Sequence, residues 1–424
     1  MAPDFFDDGS EEEFSEQAGQ DSADTAVDEA AVGGEPPDNE FEHSEDALDL
    51  ADAKPKPVVS PRQQVLGRLR KYWEAAVRME ASDLLIRPGL LPKLRIGGSL
   101  KNVEDEPFTT EQLENDVKKL LSVEQWDVYH RNGSVDLAYE YDPDNRFRVN
   151  IFQTRGQPAI AARRISSVIP SYEQLHLPPI MGDIAENRQG LVLLCGVTGS
   201  GKSTTIASML QQINENRACH ILTIEDPIEY IFKSDKAIVN QREIGIDVPD
   251  FSIGLRALVR ENPDVVLIGE LRDHETFAAA IQAAETGHLV FGTIHSSSCS
   301  GAFSRIYNLF PAEERGLIRE MLSSTLRALV YQRLLKSVNP NISRVPAVEV
   351  MLQTPAVMKY IMDGREAELD DVIRKAQGEG MIDYAASLVD LVNRELIRPK
   401  EAVAVARNKD EVKMRLKGIR TSMM

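Results

Sequence analysis

Residues 191–205 read Leu-Val-Leu-Leu-Cys-Gly-Val-Thr-Gly-Ser-Gly-Lys-Ser-Thr-Thr, an apolar run that breaks into a glycine loop and then enters a helix-like stretch, 204–213. Gly196 to Ser203 match the pattern G-x-x-x-x-G-K-[ST] in full, with a strand signal before it and a helix signal after it, the context that pattern needs. Glycines let the backbone curl until its N–H groups converge on phosphate oxygens, and the following helix N-terminus adds a favourable dipole. The expected phosphate cradle is therefore Gly196, Thr198, Gly199, Ser200, Gly201, Lys202, Ser203 and Thr204. Lys202 is expected to neutralise the β- and γ-phosphates, and the Ser203 hydroxyl to ligate Mg²⁺. ATP and Mg²⁺ are the implied cofactors.

Three further apolar runs follow: HILTIED (220–226), DVVLIGE (264–270) and HLVFGTIH (288–295), each alternating with a helical stretch. Apolar runs without polar alternation, separated by helices, predict an α/β fold with a parallel sheet covered on both faces. Glu225 and Glu270 close two of those runs. Strand ends of such a sheet face the ligand crevice, so both carboxylates are expected at the phosphates, one to hold metal and one to orient water. Asp226 and Glu229 compete with Glu225 for that role, and capping or plain surface acidity is the competing explanation for each. His288 and His295 stand seven apart at the two ends of the last run; a lone histidine is more often structural. No adjacent acid or cysteine pair suggests that either holds a metal.

Working outward, the acidity of the chain is unevenly spread. Residues 1–60 hold 19 Asp or Glu against Lys54 and Lys56, which leaves 46 basic and 48 acidic groups for the rest. So acidic a segment is expected to be a disordered tail, ended by the stiff Lys54-Pro-Lys-Pro57 linker. Residues 61–168 read as a small α+β domain: helical periodicity over 62–80, strand-like runs at 84–86, 93–96, 135–139 and 146–152, and a helix from Thr110 to Leu121. Pro170 and Pro178-Pro179 mark a flexible linker, 169–189, before the α/β core at 190–335. After about residue 312 the pattern turns helical, giving a helical C-terminal region at 336–424. Cys195, Cys219 and Cys299 lack paired spacing, which excludes a disulfide framework and a tetracysteine zinc site. No run reaches the roughly 18 apolar residues of a membrane span, and the acidic start argues against an export signal.

Taken together, GVTGSGKSTT, TIEDPIEY, VNQRE (239–243), ENPDVVLIGELRD (261–273) and AAETGHLVFGTIH (283–295) resemble the type II/IV secretion ATPase superfamily, in that order and spacing. Within it the chain is similar to the pilus-retraction branch of PilT/PilU-type twitching-motility ATPases, from about Arg62 to Gly418. The resemblance implies a RecA-like P-loop ATPase core, a PAS-like N-terminal domain and a helical C-terminal region. It makes 196–203 the Walker A loop, Glu225 the water-activating glutamate, Glu270 the Walker B glutamate acting on Mg²⁺, and His288 and His295 the histidine box. Arg148, Arg155 and Arg163 match N-terminal arginines that lie near nucleotide at domain or subunit boundaries; an ordinary strand-face charge is the alternative. The implied assembly is a homohexamer in the cytoplasm at the inner-membrane face, working on a pilus platform protein, with a paralogous retraction ATPase as a further partner. It touches the membrane only through partners and binds no nucleic acid.

Two departures bear on the branch. Leu85 stands where relatives often carry histidine, and the hallmark AIRNLI is replaced by Ala356-Val-Met-Lys-Tyr-Ile361, which leaves a PilU-like or divergent paralogue open. The missing zinc module favours retraction over a pilus-assembly or type II secretion motor. A nucleic-acid motor would need basic grooves that this near-neutral body does not offer in its composition. A non-catalytic nucleotide-binding regulator is the remaining alternative, against which the complete loop and carboxylates speak.

Overall fold

The computed structural model describes residues 68–142, 144–258 and 260–418. The acidic tail, its proline linker and the expected helical residues 62–67 lie outside the described residues. The first described helix, α1 (Leu69–Arg78), buries Leu69, Tyr72, Trp73 and Ala76. It precedes three short strands, β1 (Asp83–Ile86), β2 (Lys93–Ile96) and β3 (Ser99–Asn102). Helix α2 (Thr110–Leu120) begins at a reciprocal capping box in which Thr109 and Gln112 satisfy each other's backbone N–H. Helix α3 (Val123–Asn132), capped likewise by Ser122 and Gln125, was not expected. Three long strands complete the layer: β4 (Ser134–Asp142), β5 (Asn145–Thr154) and β6 (Gln157–Ile165). They join the short ones in an antiparallel sheet of order β3-β2-β1-β6-β5-β4. Trp73 packs on Tyr139 and Phe147, closing the core between α1 and the sheet.

The stretch expected as a flexible linker contains α4 (Ile180–Ala185), whose Met181, Ile184 and Ala185 are buried. Those side chains belong to the same apolar cluster as the core strands, so the segment is packed down rather than free. The core follows: β7 (Gly190–Cys195), α5 (Lys202–Asn216), β8 (His220–Glu225), β9 (Ile238–Glu243), α6 (Phe251–Leu258), β10 (Val265–Ile268), α7 (His274–Glu285) and β11 (Leu289–Ile294). Then come α8 (Cys299–Tyr307), α9 (Arg315–Thr325), β12 (Leu326–Lys336) and β13 (Arg344–Leu352).

The seven-stranded sheet has order β13-β12-β7-β11-β10-β8-β9, parallel throughout except for the β12–β13 edge pair. Every residue of β7, β10 and β11 is buried. On β7, Leu191, Leu193 and Cys195 join one apolar cluster, while Val192 and Leu194 join another on the opposite face. The absence of polar alternation in the sequence is thus the signature of a sheet dry on both sides.

The expectation that the chain turns helical after about residue 312 fails at β12 and β13. Leu, Ala, Arg and Gln dominate 326–336, residues that favour helix in isolation, yet burial against β7 and β13 overrides propensity. Pro346 is tolerated because β13 is an edge strand. The helical C-terminal region begins at α10 (Pro355–Met362) and continues through α11 (Leu369–Lys375), α12 (Tyr384–Asn393), α13 (Pro399–Val405) and α14 (Lys409–Leu416). Arg407, between the last two, fastens it to the core. Its guanidinium donates to both oxygens of buried Glu349 on β13, at 2.6 and 3.0 Å, and to Ser297 O at 3.0 Å.

Candidate active site

At the C-terminal ends of β7, β8, β10 and β11 lies a cleft of about 360 Å³. Its floor is the loop between β7 and α5. Gly196 has φ 150° and lies so close to β12 that a Cβ would stand 2.4 Å from Gln332 O. Gly201 has φ +87° and would place a Cβ 2.8 Å from Gln332 Nε2. Only glycine meets both demands, the conformation and the close approach. The side chain of Gln332, itself buried, then straps the loop: Nε2 donates to Ser200 O at 2.8 Å and Oε1 accepts from Thr205 Oγ1 at 2.9 Å. Helix α5 opens without a side-chain cap, so its leading N–H groups remain for an anion's oxygens.

Thr198 to Thr204 all line this cleft, as do Glu225, Glu270 and His295. The structure therefore brings together the loop, both strand-end carboxylates and the second histidine. Lys202 Nζ lies 3.0 Å from Gly196 O and 3.3 Å from Val197 O. Burial lowers its pKa, opposed by the charges of Glu270, Cys195 and Glu229. Thr204 Oγ1 meets Tyr230 OH at 3.0 Å.

The two carboxylates sit in different surroundings. Glu225 is 8% exposed and accepts from Thr223 Oγ1 at 2.8 Å and Gln241 Nε2 at 3.2 Å. Burial pushes its carboxyl up to about 7, against the smaller pull of those two bonds and the Glu229 backbone N–H. Glu270 lies two residues beyond the end of β10, with Oε2 2.7 Å from Arg272 Nη2 and Oε1 3.0 Å from His295 Nε2. Partial burial acts to raise its pKa, but Arg272, His295 and Lys202 together hold it below the usual glutamate value. Asp226 and Glu229 also line the cleft, but both are exposed and lack the buried hydrogen bonds of Glu225.

Five expected residues do not line the cleft: Gly196, which packs against Gln332 of β12, His288 and three arginines. His288 precedes β11 and so lies at the opposite end of that strand from His295, where Nδ1 meets Ala283 O at 2.9 Å and Thr286 Oγ1 at 3.2 Å. In this chain it closes the turn after α7 and does not line the cleft, so the nucleotide-binding role implied for it by the histidine box has no support from the cleft of its own chain. Arg148, Arg155 and Arg163 are exposed on the N-terminal sheet or its β5–β6 turn, and none lines the cleft of its own chain. Arg148 stands directly across from Arg163, which donates to Asp83 Oδ1 at 3.0 Å. Sequence reasoning missed Gln332, Thr223, Gln241, Tyr230 and Arg272. Four of them had a signal, Thr223 and Tyr230 lying inside the quoted motif TIEDPIEY, Gln241 inside VNQRE and Arg272 inside GELRD; only Gln332 contributes from a stretch with no motif, through partners distant in sequence.

The site fits a nucleoside triphosphate by its amide-lined loop and buried lysine. Among the described residues no three His, Cys, Asp or Glu side chains gather to cage a metal. Ser203 and Glu270 instead offer isolated oxygens, which suits Mg²⁺, an ion that keeps waters and leans on substrate phosphates.

A family model described as "Type II/IV secretion system protein" matches residues 73–415. The chain is 40% identical over 321 residues to a "Twitching motility protein" of Neisseria gonorrhoeae, spanning 76% of this chain and 86% of that one. It is 38% identical over 328 residues to the "Type IV pilus retractation ATPase PilT" of Pseudomonas aeruginosa, spanning 77% and 94%. Among solved structures, the pilus retraction motor PilT with bound ADP superposes with a TM-score of 0.75 at 35% identity, covering 81% of this chain and 98% of that chain.

Proposed function

This chain belongs to the type II/IV secretion system protein family, and from that premise we propose that it is an ATP-hydrolysing motor for type IV pilus retraction. The observation that carries the proposal is the convergence on one cleft of the 196–203 loop, a buried carboxylate with a raised pKa and a second carboxylate held ionised.

The amides of the loop and α5 hold the β- and γ-phosphates, and Lys202 supplies the positive charge. Ser203 and Glu270 are the residues that would hold Mg²⁺, and the ion would supply neutralising charge to the phosphate oxygens. Glu225 orients the attacking water and receives its proton, a task suited to a carboxyl poised near neutrality. His295 and Arg272 keep Glu270 in place. Loss of the γ-phosphate changes what these groups hold, and the two sheets shift relative to each other.

The exposure of Arg148, Arg155 and Arg163 supports a homohexamer in which a neighbour's arginines reach the nucleotide. The motor works in the cytoplasm on an inner-membrane platform protein of the pilus, with a paralogous retraction ATPase as a further partner. Among the described residues no helix is long and apolar enough to cross a membrane, in keeping with attachment through partners. Purified protein tests the reading: ATP turnover that is indifferent to added DNA supports it. DNA-stimulated turnover would favour a nucleic-acid motor, and none in a well-formed oligomer a regulator. Restored twitching in a strain lacking its retraction motor distinguishes retraction from assembly or secretion.

A further inference from the structure

The segment Val239-Asn-Gln-Arg-Glu243 forms most of β9, the edge strand beside β8. Its register places Gln241 opposite Thr223 and Glu243 opposite Glu225. Both donors and one acceptor site of the Gln241 amide are used. Its Oε1 accepts from Phe232 N at 3.0 Å, which leaves Nε2 to donate to Tyr230 O at 2.8 Å and to Glu225 Oε1 at 3.2 Å. A side chain held at its oxygen by a backbone N–H has one way to point its donors. Tyr230, fixed by the same amide, bonds Thr204 beside the phosphate loop.

The same segment also reaches the N-terminal sheet: buried Glu243 pairs with Arg146 of β5 at 3.4 Å. The loop before β9 adds two contacts beside that sheet, Ile231 N donating to Ser166 O at 3.0 Å and Lys233 pairing with Asp144. Two residues along one strand thus separate the contact with Glu225 from the contact with the other sheet.

We propose that Gln241 is the positioning residue for Glu225, and that through β9 it makes the orientation of that carboxylate depend on where the N-terminal sheet sits. This rests on Glu225 being the group that activates water. Misplacing such a group by about 1 Å costs on the order of 10²-fold in rate. In the intact protein, Gln241→Leu is expected to lower kcat about 10²-fold while KM for ATP and nucleotide affinity stay unchanged. Gln241→Glu keeps the shape and the bond from Phe232 N but replaces the donor with a second acid. The other ionisable groups lining the cleft are Asp226, Glu229 and Tyr230 after β8, Lys202 of α5, Glu270, Arg272 and His295 beyond β10 and β11, and Arg344 of β13. All of these are untouched by that change, so the acid limb of its kcat–pH profile should move upward, with activity recovering as pH rises. Arg146→Gln should show the same split, a lower kcat at constant KM, with a smaller fall.

Glu225→Gln separates the two claims. If it is inactive and Gln241→Leu adds no further loss to it, both stand. If Glu225→Gln is inactive but both Gln241 variants turn over like the wild type, the inference fails alone. If Glu225→Gln itself turns over normally, the underlying assignment fails. Loss of nucleotide affinity in Gln241→Glu, with an unchanged melting temperature, would make Gln241 a binding residue and overturn the proposal.

Discussion

Glu225 and Glu270 follow adjacent strands of one sheet and open on one cleft, yet the protein treats them oppositely. On the β8–β9 flank the carboxylate is buried among neutral donors, and its pKa rises to about 7. On the β10–β11 flank the carboxylate is met by Arg272, His295 and Lys202, and its pKa falls. The lesson is that two identical side chains take opposite pKa shifts from their surroundings, which is what the proposed division into an acid–base role and a metal role requires. Proton exchange near neutrality suits the first flank. A fixed negative charge suits the second.

The largest expected effect removes the substrate from both flanks at once. Lys202→Ala should cut turnover by about 10³-fold or more, read as phosphate release, because a preorganised charge on the phosphates is lost. Next, Glu225→Gln should lower kcat by about 10²–10⁴-fold with nucleotide binding retained, measured by fluorescent-nucleotide titration. Glu270→Gln should instead weaken the apparent Mg²⁺ requirement curve, shifting half-activation to higher Mg²⁺. If the two variants gave the same signature, the contrast between the flanks would be lost.

A stability measurement sharpens the same contrast. The raised pKa of Glu225 means that the folded protein binds more protons than the unfolded chain between the ordinary glutamate range and about 7. Its contribution is fully present below that range and is lost as pH rises through about 7, by a few kcal/mol. Glu270 has the opposite sign, its contribution being lost as pH falls through its depressed value. Denaturant unfolding at pH 5 and pH 8 should therefore show a loss on going up that Glu225→Gln removes and Glu270→Gln does not. The smallest effect is expected for His288→Ala, at the far end of β11, with single-protomer nucleotide affinity close to wild type.

Much of this was legible in the chain itself. The loop at 196–203 declares its function because its chemistry is local: glycines, lysine and serine act within eight consecutive positions. The strands β7, β8, β10 and β11 were readable because burial on both faces leaves continuous apolar runs. Strand β12 was not, since its leucines and arginines take strand form only through pairing with β7 and β13, whereas β13 carries the β-branched Val345, Val348 and Val350 and was obscured only by Pro346 and its helical neighbourhood. Gln332 illustrates the same limit at the site: nothing near it in sequence announces that it straps a loop 132 positions away. His288 shows the converse, a motif position whose side chain this chain spends on a turn.

The most direct test is a crystal structure with a nonhydrolysable ATP analogue and Mg²⁺. The expected result has the phosphates in the 196–203 loop, the metal between Ser203 and Glu270, and a water within hydrogen-bond reach of Glu225 in line with the γ-phosphate. Nucleotide lodged elsewhere, or a metal bound by Glu225 with Glu270 turned away, would contradict the division of labour between the two flanks.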